Sequence, residues 1–125
     1  MYQSEINREI NWLKGQGWLS VFGPARLTED SGRSGGVAIL MRDHLNIGAS
    51  AVRSQTPSEY PHRLTAIKLE VPGLVPCVLA SVYLDDKLGL RHGNLTILAE
   101  LASLQEESGL PVLAAGDFNS TPQQF

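Results

Sequence analysis

Pro111-Val112-Leu113-Ala114-Ala115-Gly116-Asp117-Phe118-Asn119 is a short apolar run that ends in a glycine, a carboxylate and an amide. An unbroken apolar segment of this length reads as a buried strand. Gly116 lets the backbone turn sharply off that strand. Asp117 and Asn119, two residues apart, project to the same side of an extended segment. Such a pair suits attack by water on a phosphodiester: the carboxylate promotes loss of the proton, and the amide fixes geometry or donates to a phosphate oxygen. The plainer reading is a strand-ending turn in which Asp117 or Asn119 bonds its own backbone, common for both residue types.

Upstream, Ile97, Leu98, Leu101 and Leu104 repeat at helical spacing between Asn94 and Glu107, with Asn94 placed to cap the start and Gly109 to end the helix. Before it, Pro76 to Leu84 reads as a strand. Strand, helix and strand from Ser81 to Gly116 make a crossover unit with a parallel pair, whose C-terminal end is where chemistry usually sits. Ile47 to Gln55 and Arg63 to Val71 read as further strands, and their close spacing predicts antiparallel neighbours. Gly36 to Arg42 is continuously apolar and predicts a central strand. Trp18 to Phe22 is a brief strand, Gly23 to Gly36 a long loop, and Ser4 to Lys14 a short amphipathic helix through Ile6, Ile10 and Leu13.

The composition agrees with layered α/β. Charged residues make up 18% of the chain, below the roughly 25% of ordinary soluble domains, as strands covered on both faces require. Formal net charge is −3, so the basic excess that drives nonspecific nucleic-acid binding is absent and any phosphate affinity is local. The single cysteine, Cys77, lies in an apolar run and reads as a small buried hydrophobe. No run approaches the roughly 18 apolar residues of a membrane span. The polar stretch Met1 to Trp12 does not read as a signal peptide. The compartment stays open, with an intracellular location the default expectation.

Two more segments join the 111–119 stretch: Ser34-Gly35-Gly36-Val37-Ala38-Ile39-Leu40, and Ser81-Val82-Tyr83 ahead of a charged loop and the Asn94 helix. Together with Gly116-Asp117-Phe118-Asn119 they resemble the endonuclease/exonuclease/phosphatase superfamily, the DNase I-like fold, in which such segments follow in this order. The resemblance covers most of the chain. It implies part of a four-layer α/β sandwich, a mixed sheet with flanking helices. It implies that Asp117 aligns or activates a nucleophilic water, that Asn119 orients the water or the scissile phosphate, and that Tyr83 donates its hydroxyl to the phosphate. Without the family, Tyr83 would read as a strand-end aromatic packed on the core.

The resemblance also implies a divalent cofactor, Mg2+ or Mn2+. Glu5, in Gln3-Ser4-Glu5, is the one candidate for the family's upstream metal glutamate, although a serine interrupts the expected Gln-Glu pair and no strand precedes it. Asp85 and Asp86 stand where relatives often show Pro-Asn. Lys87 and Arg91, in the same loop, are candidate substrate-binding cations, against the alternative that they are merely solvated. His44, His62 and His92 read as structural or surface residues, since none stands in a Ser-Asp-His setting. Residues 1–125 are thus expected to be a partial domain lacking its metal-site strand and its Ser-Asp-His segment, and to continue into a larger polypeptide.

Three functions follow as expectations. The first is a metal-dependent phosphodiester hydrolase of nuclease type, similar to retroelement or nuclease members, whose intact parent acts on nucleic acid. The second is a phosphatase or phospholipase acting on phosphorylated small molecules or lipids. The third is an inactive relic or interaction fragment of the same fold.

Overall fold

A computed structural model describes residues 2–27, 33–45, 47–52, 58, 60–84 and 92–119. Helix α1 (Tyr2–Gly15) leads into β1 (Trp18–Gly23), which pairs antiparallel with β4 (Val37–Arg42). Between them lie β2 (Arg26–Leu27) and β3 (Arg33–Ser34), a two-residue antiparallel ribbon. The second sheet has the order β5 (Gly48–Ala51), β6 (Leu64–Glu70), β7 (Cys77–Tyr83), β8 (Val112–Asp117), with α2 (His92–Ser108) crossing from β7 to β8. β5, β6 and β7 are antiparallel neighbours, and β7 and β8 are parallel, as the crossover unit predicts.

Burial fixes the layer order. In β7, Val78, Ala80 and Val82 are buried. Ala80 and Val82, with Leu64, Leu84 and Ile97, form the core between the sheet and α2, joined by half-buried Leu98, Leu101, Ala114 and Phe118. The alternate residues face the other way, as the two-residue strand period demands. There Leu79 joins Ile67 and Leu69, and meets Ile39, Met41 and Val21 of the first sheet. Helix α1 packs on β1, with Ile6 buried. The layers therefore run α1, β1–β4, β5–β8, α2: a mixed α/β sandwich. Ile97 is 0% exposed, so Ile97→Ala should remove about 2–5 kcal/mol of stability through lost burial and cavity formation. Denaturant unfolding measures this, and a loss under 1 kcal/mol would contradict the packing.

Five expectations need correction. β8 is not a buried strand: Leu113 is 63% exposed and Ala115 is exposed, because burial falls on alternate positions. Gly116 does not turn the chain off the strand; it lies within β8, paired with Val82, and the turn comes at Asn119. β4 is not central among the described residues: β1 is its one strand partner there, and Leu40 is 42% exposed because burial falls on alternate positions, Val37, Ile39 and Met41. Asn94 does not cap α2. The helix begins at His92, and Asn94 sits in its first turn fully buried. Cys77 is half-buried rather than buried, because it opens β7 at the sheet's end. The predicted C-terminal stop holds, with Gly109 at φ +67° and its N–H donating to the Gln105 carbonyl.

Candidate active site

The C-terminal ends of the parallel strands carry the chemistry-bearing residues. Register places Tyr83 of β7 directly beside Asp117 of β8. Neighbouring strands lie about 5 Å apart and directly paired residues share a face. Both side chains thus stand on the face turned toward the first sheet, in line with Leu79–Leu113 and Ser81–Ala115. Tyr83 is half-buried, and Asp117 is exposed to water.

Asp117 and Asn119 are close, but not in the extended arrangement expected. Asn119 adopts φ +47°, and its backbone N–H donates to Asp117 Oδ1 at 3.0 Å. This is the strand-ending turn that Asp favours. It holds one carboxylate oxygen in place. Phe118, between them, packs against the core under α2 and anchors the turn. The plainer reading of the motif holds: it is a local turn, and that turn leaves the Asp117 carboxylate exposed to water.

Arg63 was not singled out by the sequence. It lies just before β6, is 7% exposed, and its guanidinium carbon is 5.8 Å from the centre of the Tyr83 ring, within cation–π range. Tyr83 N–H donates to the Arg63 carbonyl at 2.9 Å. Arg63 just ahead of β6, Tyr83 at the end of β7 and Asp117 at the end of β8 therefore lie abreast. In sequence an arginine opening a strand is ordinary; only the register shows that it abuts the tyrosine.

The Gly35-Gly36 segment supports this wall from outside. Gly36 N–H donates to the His62 carbonyl at 2.6 Å. Gly35, at φ +80°, lies so close that a Cβ would meet the His62 carbonyl oxygen at 2.6 Å and its ring at 2.7 Å. Glycine is required there by contact with the turn that delivers Arg63. His62 is buried in that turn, in keeping with a structural histidine.

Glu5 lies on the exposed first turn of α1, in a groove with Ile6, Arg8, Glu9 and Phe22. Lys87 and Arg91, with Asp85 and Asp86, lie outside the described residues. Among the described residues no group of three or more His, Cys, Asp or Glu side chains could hold a metal ion. They do not by themselves fit a complete divalent-ion site. No helix among them is long and apolar enough to cross a membrane.

Comparison with known proteins supports the fold. The chain is similar in fold to the human Nocturnin catalytic domain, solved with a bound sulfate anion, with a TM-score of 0.57 and 19% identity over 90% of this chain and 46% of that one. It is also similar to ANGEL2, a 2',3'-cyclic phosphatase, with a TM-score of 0.52 and 20% identity over 97% of this chain and 36% of that one. The chain thus spans less than half the length of either. No curated protein matches the sequence. The model of the Endonuclease/Exonuclease/phosphatase family matches residues 4–124, taking in the glycine pair, Tyr83 and the Asp117 turn. The chain belongs to the endonuclease/exonuclease/phosphatase family.

Proposed function

We propose that the chain is a segment of a phosphodiester hydrolase of nuclease type. The observation that carries this reading is the alignment of Arg63, Tyr83 and Asp117 across three adjacent strand ends. An exposed carboxylate with one oxygen already held accepts a proton from an attacking water on the other. The tyrosine hydroxyl is a neutral donor suited to a nonbridging phosphate oxygen, and Arg63 adds positive charge beside it. The anion-bound and cyclic-phosphatase neighbours support a phosphate-directed site. Nucleic acid is the proposed substrate of the intact protein. A divalent ion, Mg2+ or Mn2+, would neutralise phosphoryl oxygens in this family's chemistry; Asp117 is the only carboxylate this wall brings to it among the described residues.

Tyr83→Phe tests the reading, because it keeps the ring against Arg63 and removes only the donor. Nicking of supercoiled plasmid in Mg2+ should fall about ten- to a hundredfold, the worth of one hydrogen bond to a charged oxygen. An unchanged rate would remove Tyr83 from the site. The second reading, a noncatalytic fragment of the same fold, is favoured by the lack of a metal-holding group among the described residues. It predicts no nicking by the unaltered chain, in Mg2+ or Mn2+.

A further inference from the structure

The turn that delivers Arg63 is held from three sides. Toward the first sheet, the His62 carbonyl accepts the Gly36 N–H at 2.6 Å. Toward β7, the Arg63 carbonyl accepts the Tyr83 N–H at 2.9 Å. The third hold comes from α2, through a serine and a glutamate that lie 42 residues apart. Ser58 Oγ donates to Glu100 Oε2 at 2.7 Å and accepts the Tyr60 N–H at 3.1 Å. The Tyr60 carbonyl in turn accepts the Arg63 N–H at 2.9 Å and the Leu64 N–H at 3.1 Å, where β6 begins. A hydroxyl has one proton to give and lone pairs to receive. Ser58 uses both functions, its proton on the helix and a lone pair on the turn.

The helix end of this chain is firmly mounted. Glu100 stands one turn beyond Ile97, on the same side of α2, and Ile97 is 0% exposed in the core beneath the helix. The Tyr60 side chain packs on that same core. A hydroxyl donating to a carboxylate at this distance is of the charge-assisted kind, roughly twice as strong as a neutral bond. We propose that Ser58 and Glu100 are positioning residues for Arg63. They tie the turn to α2, and so keep the guanidinium carbon 5.8 Å from the centre of the Tyr83 ring. An arginine side chain is long and flexible, so its charge is placed only as well as the backbone that carries it. The catalytic consequence rests on the hydrolase reading above; the tie between α2 and the Arg63 turn does not.

Ser58→Ala deletes the shared hydroxyl, Glu100→Ala deletes its acceptor, and Ser58→Thr keeps the hydroxyl. Amide hydrogen exchange by NMR on the full chain reads the turn. The Arg63 and Leu64 N–H groups should exchange about tenfold faster in both alanine variants, as expected for loss of one adjoining hydrogen bond, while Ala80 in β7 stays unchanged. Ser58→Thr should restore the exchange of the unaltered chain. The Tyr83 ring meets this turn through the Arg63 guanidinium and supplies the reading that a merely structural tie would not move. Its ring-proton resonances should shift in both alanine variants and return in Ser58→Thr. Unchanged exchange at Arg63, or an unmoved Tyr83 ring, overturns the proposal. In plasmid nicking with Mg2+, Ser58→Ala should lower the rate about three- to tenfold. Added to Arg63→Met, which fills the buried position without the charge, it should lower the rate no further. An equal further loss there would mean that Ser58 acts by another route, and also overturns the proposal. If the unaltered chain does not nick at all, the hydrolase reading fails, and the exchange and ring measurements still decide whether Ser58 and Glu100 position Arg63.

Discussion

Asp117→Ala should lower phosphodiester hydrolysis by about 10²–10⁴-fold, the usual contribution of a positioned general base, while leaving the fold intact. The two parts of this expectation come from separate observations. The carboxylate is exposed and bonds only the backbone N–H of Asn119 among its described hydrogen bonds, so its removal disturbs one turn and no core contact. Substitutions of that kind usually change stability by about 0.5 kcal/mol or less. A thermal midpoint within a few degrees of the unaltered protein, with nicking abolished, is the expected pair of results. Asp117→Asn sharpens the test. Its carbonyl oxygen still accepts the Asn119 N–H, but the side chain no longer takes a proton from water. If Asp117→Asn cuts plasmid at the unaltered rate, proton acceptance is not what Asp117 does.

Much of this wall was legible in the sequence because it depends on strand ends, and strand ends are marked by abrupt changes of chemistry. The change from Leu113-Ala114-Ala115 to Gly116-Asp117 located the end of β8, and the crossover order made its strand and that of Tyr83 parallel neighbours; the register then sets Tyr83 beside Asp117. Two-residue alternation did not tell β4 from a strand buried on both sides, since Leu40 is apolar yet exposed. Arg63 was invisible for another reason. Its role comes from an antiparallel register that brings residue 63 against residue 83, and a lone cation ahead of a strand carries no local sign of it. Asn119 shows the opposite limit. Its residue type was read as chemistry, and its side chain turns out to hydrogen-bond the Leu84 carbonyl, a backbone contact that only the fold reveals. Lys87 and Arg91 lie outside the described residues, so those two remain sequence-based expectations.

Gly116→Ala should be the most destabilising single change at this wall, and its effect should differ in kind from that of Asp117→Ala. Gly116 has φ +149°, a conformation open to glycine, and pairs with Val82 one rung before Tyr83–Asp117. A Cβ placed there would overlap the Val82 carbonyl oxygen and lie 2.9 Å from its carbonyl carbon and amide nitrogen. These are backbone atoms held in the ladder, so no side chain can rotate away to make room. Relief requires β8 to move off β7, which breaks the rungs that set the Tyr83–Asp117 pair. Overlap and backbone strain together put the cost at about 3–5 kcal/mol, or roughly 12–20 °C in thermal midpoint at about 4 °C per kcal/mol. Gly109→Ala is the control for strain alone: it also has positive φ, +67°, but nothing lies within 4 Å of its Cβ position. It should lose only about 1–2 kcal/mol. Equal losses at the two positions would mean that the close approach at Val82 contributes nothing. A larger loss at Gly116, with nicking falling alongside the midpoint, would show that the glycine of this motif is selected for strand contact and the aspartate for chemistry.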